Sequence, residues 1–146
     1  MSDKATTVEV TLESKLESVE AAEEIAQRVC RDAGFSEEDR HKIGMAVHES
    51  MINAIFHGNK SDPHKRVRMR LEVFPDRLEI RIRDQGLGFD LGSLPDPLEA
   101  ENLLRVSGRG IFLIRTFMDE FRVENVKGTG TEVTLVKRTH SDSKLT

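Results

Sequence analysis

The chain has 146 residues, of which 37% are hydrophobic and 33% charged, and its net charge is −4. That length suits one globular domain with a real core, and the acidic balance gives no electrostatic footprint for nucleic acid or an anionic membrane. The single cysteine, Cys30, excludes an internal disulfide and a multi-cysteine zinc site.

Residues 1–7 read as a loose tail, and Val8, Val10 and Leu12 alternate with polar residues as a first strand. Ser18 is placed to cap a helix whose stripe is Val19, Ala22, Ile25, Ala26, Val29 and Ala33, closed by Gly34. Cys30 lies beside that stripe and reads as a buried, inert thiol. Ser36 with Glu37, Glu38 and Asp39 opens a second helix, expected from about Glu37 to Phe56 with Ile43, Val47, Met51, Ala54 and Ile55 inward. Gly58 and Asn59 fit its end.

Val67 to Phe74 and Leu78 to Arg83 read as a hairpin turned at Pro75 and Asp76. The basic run from His64 to Arg70 alternates along it, as a solvated face would. Leu91 to Ser107 carries prolines, acids and a glycine, and its irregularity suggests a lid. An apolar helical run, Ile111 to Met118, precedes strands Phe121 to Val126 and Thr131 to Lys137, joined by a turn at Lys127 to Gly130. The tail from Arg138 is polar. No repeat or internal boundary appears, so residues 1–146 form one domain with its core at about 8–137. The element order predicts an α+β two-layer sandwich, a mostly antiparallel mixed sheet with helices on one face. The N-terminus lacks the apolar core of a signal peptide and no run approaches the ~18 residues of a membrane span, so the cytoplasm is the expected compartment.

The strand Leu78 to Arg83 delivers Asp84 to its end, followed by Gly86 and Gly88. A carboxylate in that place can accept a hydrogen bond from a flat heterocyclic amine, and the glycines let a ligand approach the backbone. On the second helix Glu49 and Asn53 are one turn apart, and His57 follows at the same spacing. An Asn oxygen suits Mg²⁺, which takes other ligands from water and phosphate, and a Glu one turn earlier can orient or deprotonate a nucleophile. Gly108, Arg109 and Gly110 precede a helix, whose free amides and dipole favour an anion, with Arg109 adding charge. Other signatures fail. The zinc-protease motif needs a histidine where Ile52 stands, so His48 reads as structural or incidental. There is no P-loop, a Rossmann fingerprint would need glycine at Leu91, and the H-R-D and D-F-G kinase motifs are missing.

Four boxes stand in order: Glu49 and Asn53, then Asp84-x-Gly86-x-Gly88, then Gly108-x-Gly110, then Gly128-x-Gly130-Thr131. Together they resemble the GHKL (Bergerat-fold) ATPase superfamily of gyrase, the ninety-kilodalton heat-shock chaperone, histidine kinases and MutL. The runs Asn53-Ala54-Ile55-Phe56-His57-Gly58-Asn59 and Ser107-Gly108-Arg109-Gly110-Ile111-Phe112-Leu113-Ile114 are most similar to stand-alone anti-sigma-factor serine/threonine kinases. The resemblance covers about Val8 to Lys137 and implies a Bergerat ATP-binding fold. It implies that Asp84 binds the adenine amino group, that Gly86 and Gly88 shape its pocket with Thr131 nearby, and that Asn53 ligates Mg²⁺. It implies that Ser107, Gly108, Arg109 and Gly110 lie by the phosphates, that His57 borders the nucleotide, and that Glu49 is the catalytic residue. It further implies ATP as the cofactor, phosphorylation of a small antagonist protein, a sequestered sigma factor, and a homodimer. Two alternatives remain at this level: an ATP-binding regulatory module without phosphoryl transfer, and a detached histidine-kinase catalytic domain.

Overall fold

The computed structural model describes residues 6–86, 109–126 and 130–139. Strand β1 (Thr6–Glu13) is followed by α1 (Leu16–Asp32), α2 (Glu37–Ile52) and a π-helix (Asn53–Gly58). Then come β2 (Arg66–Phe74), β3 (Arg77–Arg83), α3 (Arg109–Phe117), β4 (Glu120–Val126) and β5 (Gly130–Arg138). The strands form one sheet in the order β1-β2-β3-β5-β4. Every pairing among them is antiparallel, so the described sheet has no mixed part.

Two-residue alternation makes this sheet one-sided. Val67, Met69 and Leu71 of β2 and Leu78, Ile80 and Ile82 of β3 are buried against the helices. In register, Ile80 stands between Leu71 and Leu135, and all three are fully buried. Burying one such side chain stabilises the fold by roughly 1.5–3 kcal/mol, so a charge at Ile80 would strike the centre of the core. The opposite face holds Arg70, Glu72, Arg77, Glu79 and Arg81 in contacts such as Arg81 to Glu72 at 2.7 Å and Arg77 to Glu79 at 2.7 Å. Partly exposed pairs of this kind contribute about 0–1 kcal/mol each, so the helix-facing side dominates stability.

Helix α1 buries Val19, Ala22, Ala26 and Cys30, and α2 buries Ile43, Ala46, Val47 and Met51. Burial pushes the Cys30 thiol up to about 12, which makes it the inert core group expected. The end of α1 is a Schellman motif: Phe35 N–H donates to the Cys30 carbonyl and Gly34 N–H to that of Arg31. Gly34 takes the left-handed φ of 88° that this motif requires. Ser36 caps α2, its hydroxyl accepting from Asp39 N–H at 3.1 Å, with three acids in the first turn.

Two expectations need correction. Ser18 does not cap α1, because its N–H already donates to the Lys15 carbonyl and the helix begins at Leu16. The second helix does not run on to Phe56 as α-helix. From Asn53 it widens into the π-helix, closed by Asn59 N–H donating to the Ala54 carbonyl at 2.8 Å. Single π-turns of this kind occur frequently at functional sites. The lid segment Leu91 to Ser107 and residues 127–129 of the Lys127 to Gly130 turn lie outside the described residues.

Candidate nucleotide site

Asp84 emerges from β3 next to β5, and its N–H donates to the Thr131 carbonyl at 3.0 Å. Its carboxylate turns inward and is buried. Oδ1 accepts the amides of Gly86 and Thr131, each at 3.0 Å. The first bond closes an Asx-type turn and the second ties that turn to the neighbouring strand. Burial raises the Asp84 carboxyl above its ordinary value, opposed by the two amides and by the charges of Lys65 and Arg83. The site therefore holds a fixed carboxylate with both backbone bonds on one oxygen, a suitable acceptor for an amine on a flat ring.

The other wall is the π-helix. A Cβ on Gly58 would come within 2.1 Å of Asp84 Oδ2, and one on Gly86 within 2.2 Å of the Gly58 carbonyl. Only glycine at both places lets these segments touch. Asn59 then buries its side chain between β1, β2 and the residue after Asp84. In the sequence Gly58 and Asn59 read as a helix end and as part of the family-like Asn53–Asn59 run, with no role of their own assigned to them. The available signal was a glycine and a polar amide directly after an otherwise apolar helical run.

Asn53 begins the π-helix, yet its N–H still bonds the Glu49 carbonyl. Glu49 and Asn53 thus keep the α-helical spacing that the sequence suggested. His57 does not continue it, because the wider π-turn intervenes, and it is half-buried away from that register. Glu49 is half-buried. The Asn53 side chain is buried, and its Oδ1 has no hydrogen-bond partner among the described residues. A buried acceptor without a donor is costly, and a cation relieves it. No cluster of three or more His, Cys, Asp or Glu among the described residues could hold a metal by itself. Mg²⁺ takes one or two protein ligands and completes its shell with phosphate and water, so an amide oxygen such as Asn53 Oδ1 is chemically suited to it.

Helix α3 begins at Arg109 and Gly110 and packs against α2. The helix that follows the expected phosphate loop in sequence therefore packs on the helix that carries Glu49. Gly88, Ser107 and Gly108 lie outside the described residues. The fold thus brings Asp84, Gly86 and Thr131 together, with Gly58 and Asn59 added to them.

Residues 12–137 match the histidine kinase-like ATPase domain. The chain belongs to that family. It is 37% identical to the serine-protein kinase RsbW of Bacillus licheniformis over 107 residues, covering 69% of this chain and 67% of that one. It is 29% identical to the serine-protein kinase RsbW of Listeria innocua over 140 residues, covering 92% and 87%. Its fold matches a crystal structure of the RsbU and RsbW domains of a Mycobacterium tuberculosis protein with a TM-score of 0.62 at 17% identity. That match spans 92% of this chain but only 32% of the longer one. The α+β fold and the family suggested by the four boxes both stand. No helix among the described residues is long and apolar enough to cross a membrane.

Proposed function

We propose that this chain is an ATP-dependent serine/threonine-protein kinase that acts as an anti-sigma factor or partner-switching regulator on a small antagonist protein. The observation that carries the reading is the orphaned, buried Asn53 Oδ1 one turn from Glu49, in a chain of an ATPase family similar to serine-protein kinases. Asp84 receives the adenine amino group, with Gly86, Gly88 and Thr131 around the base. Ser107, Gly108, Arg109 and Gly110 receive the phosphates, and His57 borders them. Asn53 holds Mg²⁺, which when bound neutralises phosphate charge.

Phosphoryl transfer demands positioning and charge neutralisation more than covalent chemistry by the protein. Glu49 orients the substrate hydroxyl and takes its proton. The hydroxyl oxygen bonds the γ-phosphorus as the bond from that phosphorus to the bridging oxygen breaks, and ADP leaves. The working unit is a homodimer in the cytoplasm, and its partners are the antagonist and a sigma factor. Both Glu49 and Asn53 are present, which favours an enzyme over a binding module that has lost transfer.

The test is transfer from labelled ATP to proteins that co-purify with the chain from its native cell. Acid-stable phosphate on serine or threonine of a small partner is the expected result. Acid-labile phosphate on a histidine would replace the reading with a histidine-kinase catalytic domain. Tight ATP binding without transfer would leave a regulatory module.

A further inference from the structure

Asn59 is fully buried, and its amide is engaged on both ends. Nδ2 donates to Ser14 Oγ at 2.9 Å and to the Arg66 carbonyl at 3.0 Å. Oδ1 accepts the Gln85 N–H at 2.7 Å. The Ser14 hydroxyl donates onward to the Lys65 carbonyl at 2.7 Å, and Gln85 Oε1 accepts from Arg66 N–H at 2.5 Å. One side chain therefore gathers the exit of β1, the entry to β2 and the exit of β3.

A buried amide can simply satisfy backbone groups, and that alone would make Asn59 a stability residue. Its placement gives it more to do. Gln85 is the residue between Asp84 and Gly86, and Gly86 N–H is one of the two donors on Asp84 Oδ1. The Gln85 N–H belongs to the peptide plane that joins Asp84 to Gln85, so its bond to Asn59 fixes that plane and with it the start of the turn that carries the Gly86 amide. Gly58, immediately before Asn59, lies against the other Asp84 oxygen. Asn59 thus grips the Asp84 turn through its side chain while its chain neighbour contacts that carboxylate directly.

We propose that Asn59 is a positioning residue for the nucleotide base. It holds the Gln85 amide so that the Asp84–Gly86 turn is set before nucleotide arrives. The inference rests on the reading that Asp84 receives adenine. Asn59 acts through Gln85 and Asp84, so its loss weakens everything that carries the base and leaves the transfer step alone. Preorganisation of this kind lowers the ordering cost of binding.

The experiment uses the full chain with Asn59→Ala, Ser14→Ala and Asp84→Ala. ADP and adenosine affinities are measured by calorimetry, and KM and kcat for ATP by phosphoryl transfer. Asn59→Ala should weaken ADP and adenosine alike by about tenfold, the order of one buried hydrogen bond. KM should rise by a similar factor while kcat stays within about twofold, a split that general loosening of the fold would not give. Unchanged ADP affinity in folded Asn59→Ala, or a fall in kcat at constant KM, overturns the proposal. If Asn59→Ala does not fold, the milder Ser14→Ala decides, with ADP weakened by roughly twofold to fivefold for the loss of one anchoring bond. Unchanged affinity there overturns it too. If Asp84→Ala still binds ADP like the wild type, the adenine reading falls and takes this proposal with it. If Asp84→Ala loses ADP while folded Asn59→Ala does not, the proposal alone falls.

Discussion

The two ends of the candidate site are built in opposite ways. At Asp84 the protein supplies its own hydrogen bonds: two amides on Oδ1, glycines pressed to contact, and the Asn59 grip on the next residue. At Asn53 the buried side-chain oxygen has no donor among the described residues. One end is complete in its own hydrogen bonds, and on the proposed reading the other is completed by Mg²⁺. Preorganised groups favour recognition, whereas an unsatisfied acceptor favours a cation. The contrast separates affinity for the base from chemistry at the phosphates, and variants at the two ends should therefore fail differently.

The largest effect is expected at the unfinished end. Glu49→Gln keeps size and hydrogen bonding but removes the basic charge. General-base contributions are typically about 10²–10⁴-fold, so transfer should slow at least roughly a hundredfold. MgATP and protein partner should still bind. Single-turnover transfer at the wild-type rate would remove Glu49 from the role of base and erase the division between the two ends.

Gly58→Ala attacks the finished end. The added Cβ would sit 2.1 Å from Asp84 Oδ2, and the helix end is tied down by Asn59, so the carboxylate must yield. Overpacking of this kind costs about 1–3 kcal/mol. ATP and ADP should weaken together, by roughly five- to a hundredfold on that scale, since both carry the base. Loss of ATP alone would put Asp84 near the terminal phosphate. Calorimetry with both nucleotides distinguishes the two.

Much of this contrast was legible in the residues, and the misses share a cause. The hairpin and the stripe on α1 follow from period alone, because burial on one face imposes it. Asp84 stands out in the sequence because a strand pattern ends at a carboxylate followed by two glycines. The π-helix was not legible: Ala54 and Ile55 are buried whether the turn is α or π, so the apolar spacing carries no sign of the change. Gly58 and Asn59 read as a helix end and as part of a family-like run, but not as site-builders, because their contacts reach Asp84 and Gln85, the latter 26 residues along the chain. Ser18 misled because a serine next to an apolar stripe looks like a cap, while the backbone turn had begun three residues earlier.

Asn53→Ala should show the unusual pairing of retained stability with lost binding. Removing a buried acceptor that has no donor among the described residues relieves a cost of about 1–3 kcal/mol, offset by the small cavity left behind. The melting temperature without ligand should stay level or rise. MgATP affinity should fall by about tenfold or more, roughly the contribution of one good polar contact, and the stabilisation given by MgATP should shrink with it. A large drop in ligand-free stability would mean that Asn53 already has a structural partner, and the two ends would no longer differ.

The smallest effect is a matter of sign at Asp84. Burial raises its carboxyl above the ordinary value of 3.8 despite the Gly86 and Thr131 amides. A carboxyl whose folded value lies above its unfolded one binds its proton more tightly in the folded state. Its contribution to stability is present below about the unfolded value and is lost as pH rises through the folded one. At neutral pH the ionised Asp84 therefore works against folding. Asp84→Asn keeps an oxygen for the two amides and removes the buried charge. It should melt higher than the wild type at pH 7, by roughly 3–5 °C if the relief is about 1 kcal/mol. The gap should close as pH falls into the carboxylate range, where the wild-type group takes up its proton. Melting curves from pH 7 down to about 4 test the sign, that range bracketing where carboxyls titrate. A variant less stable than the wild type at pH 7 would mean that the two amides outweigh burial, and that the finished end holds its charge without strain.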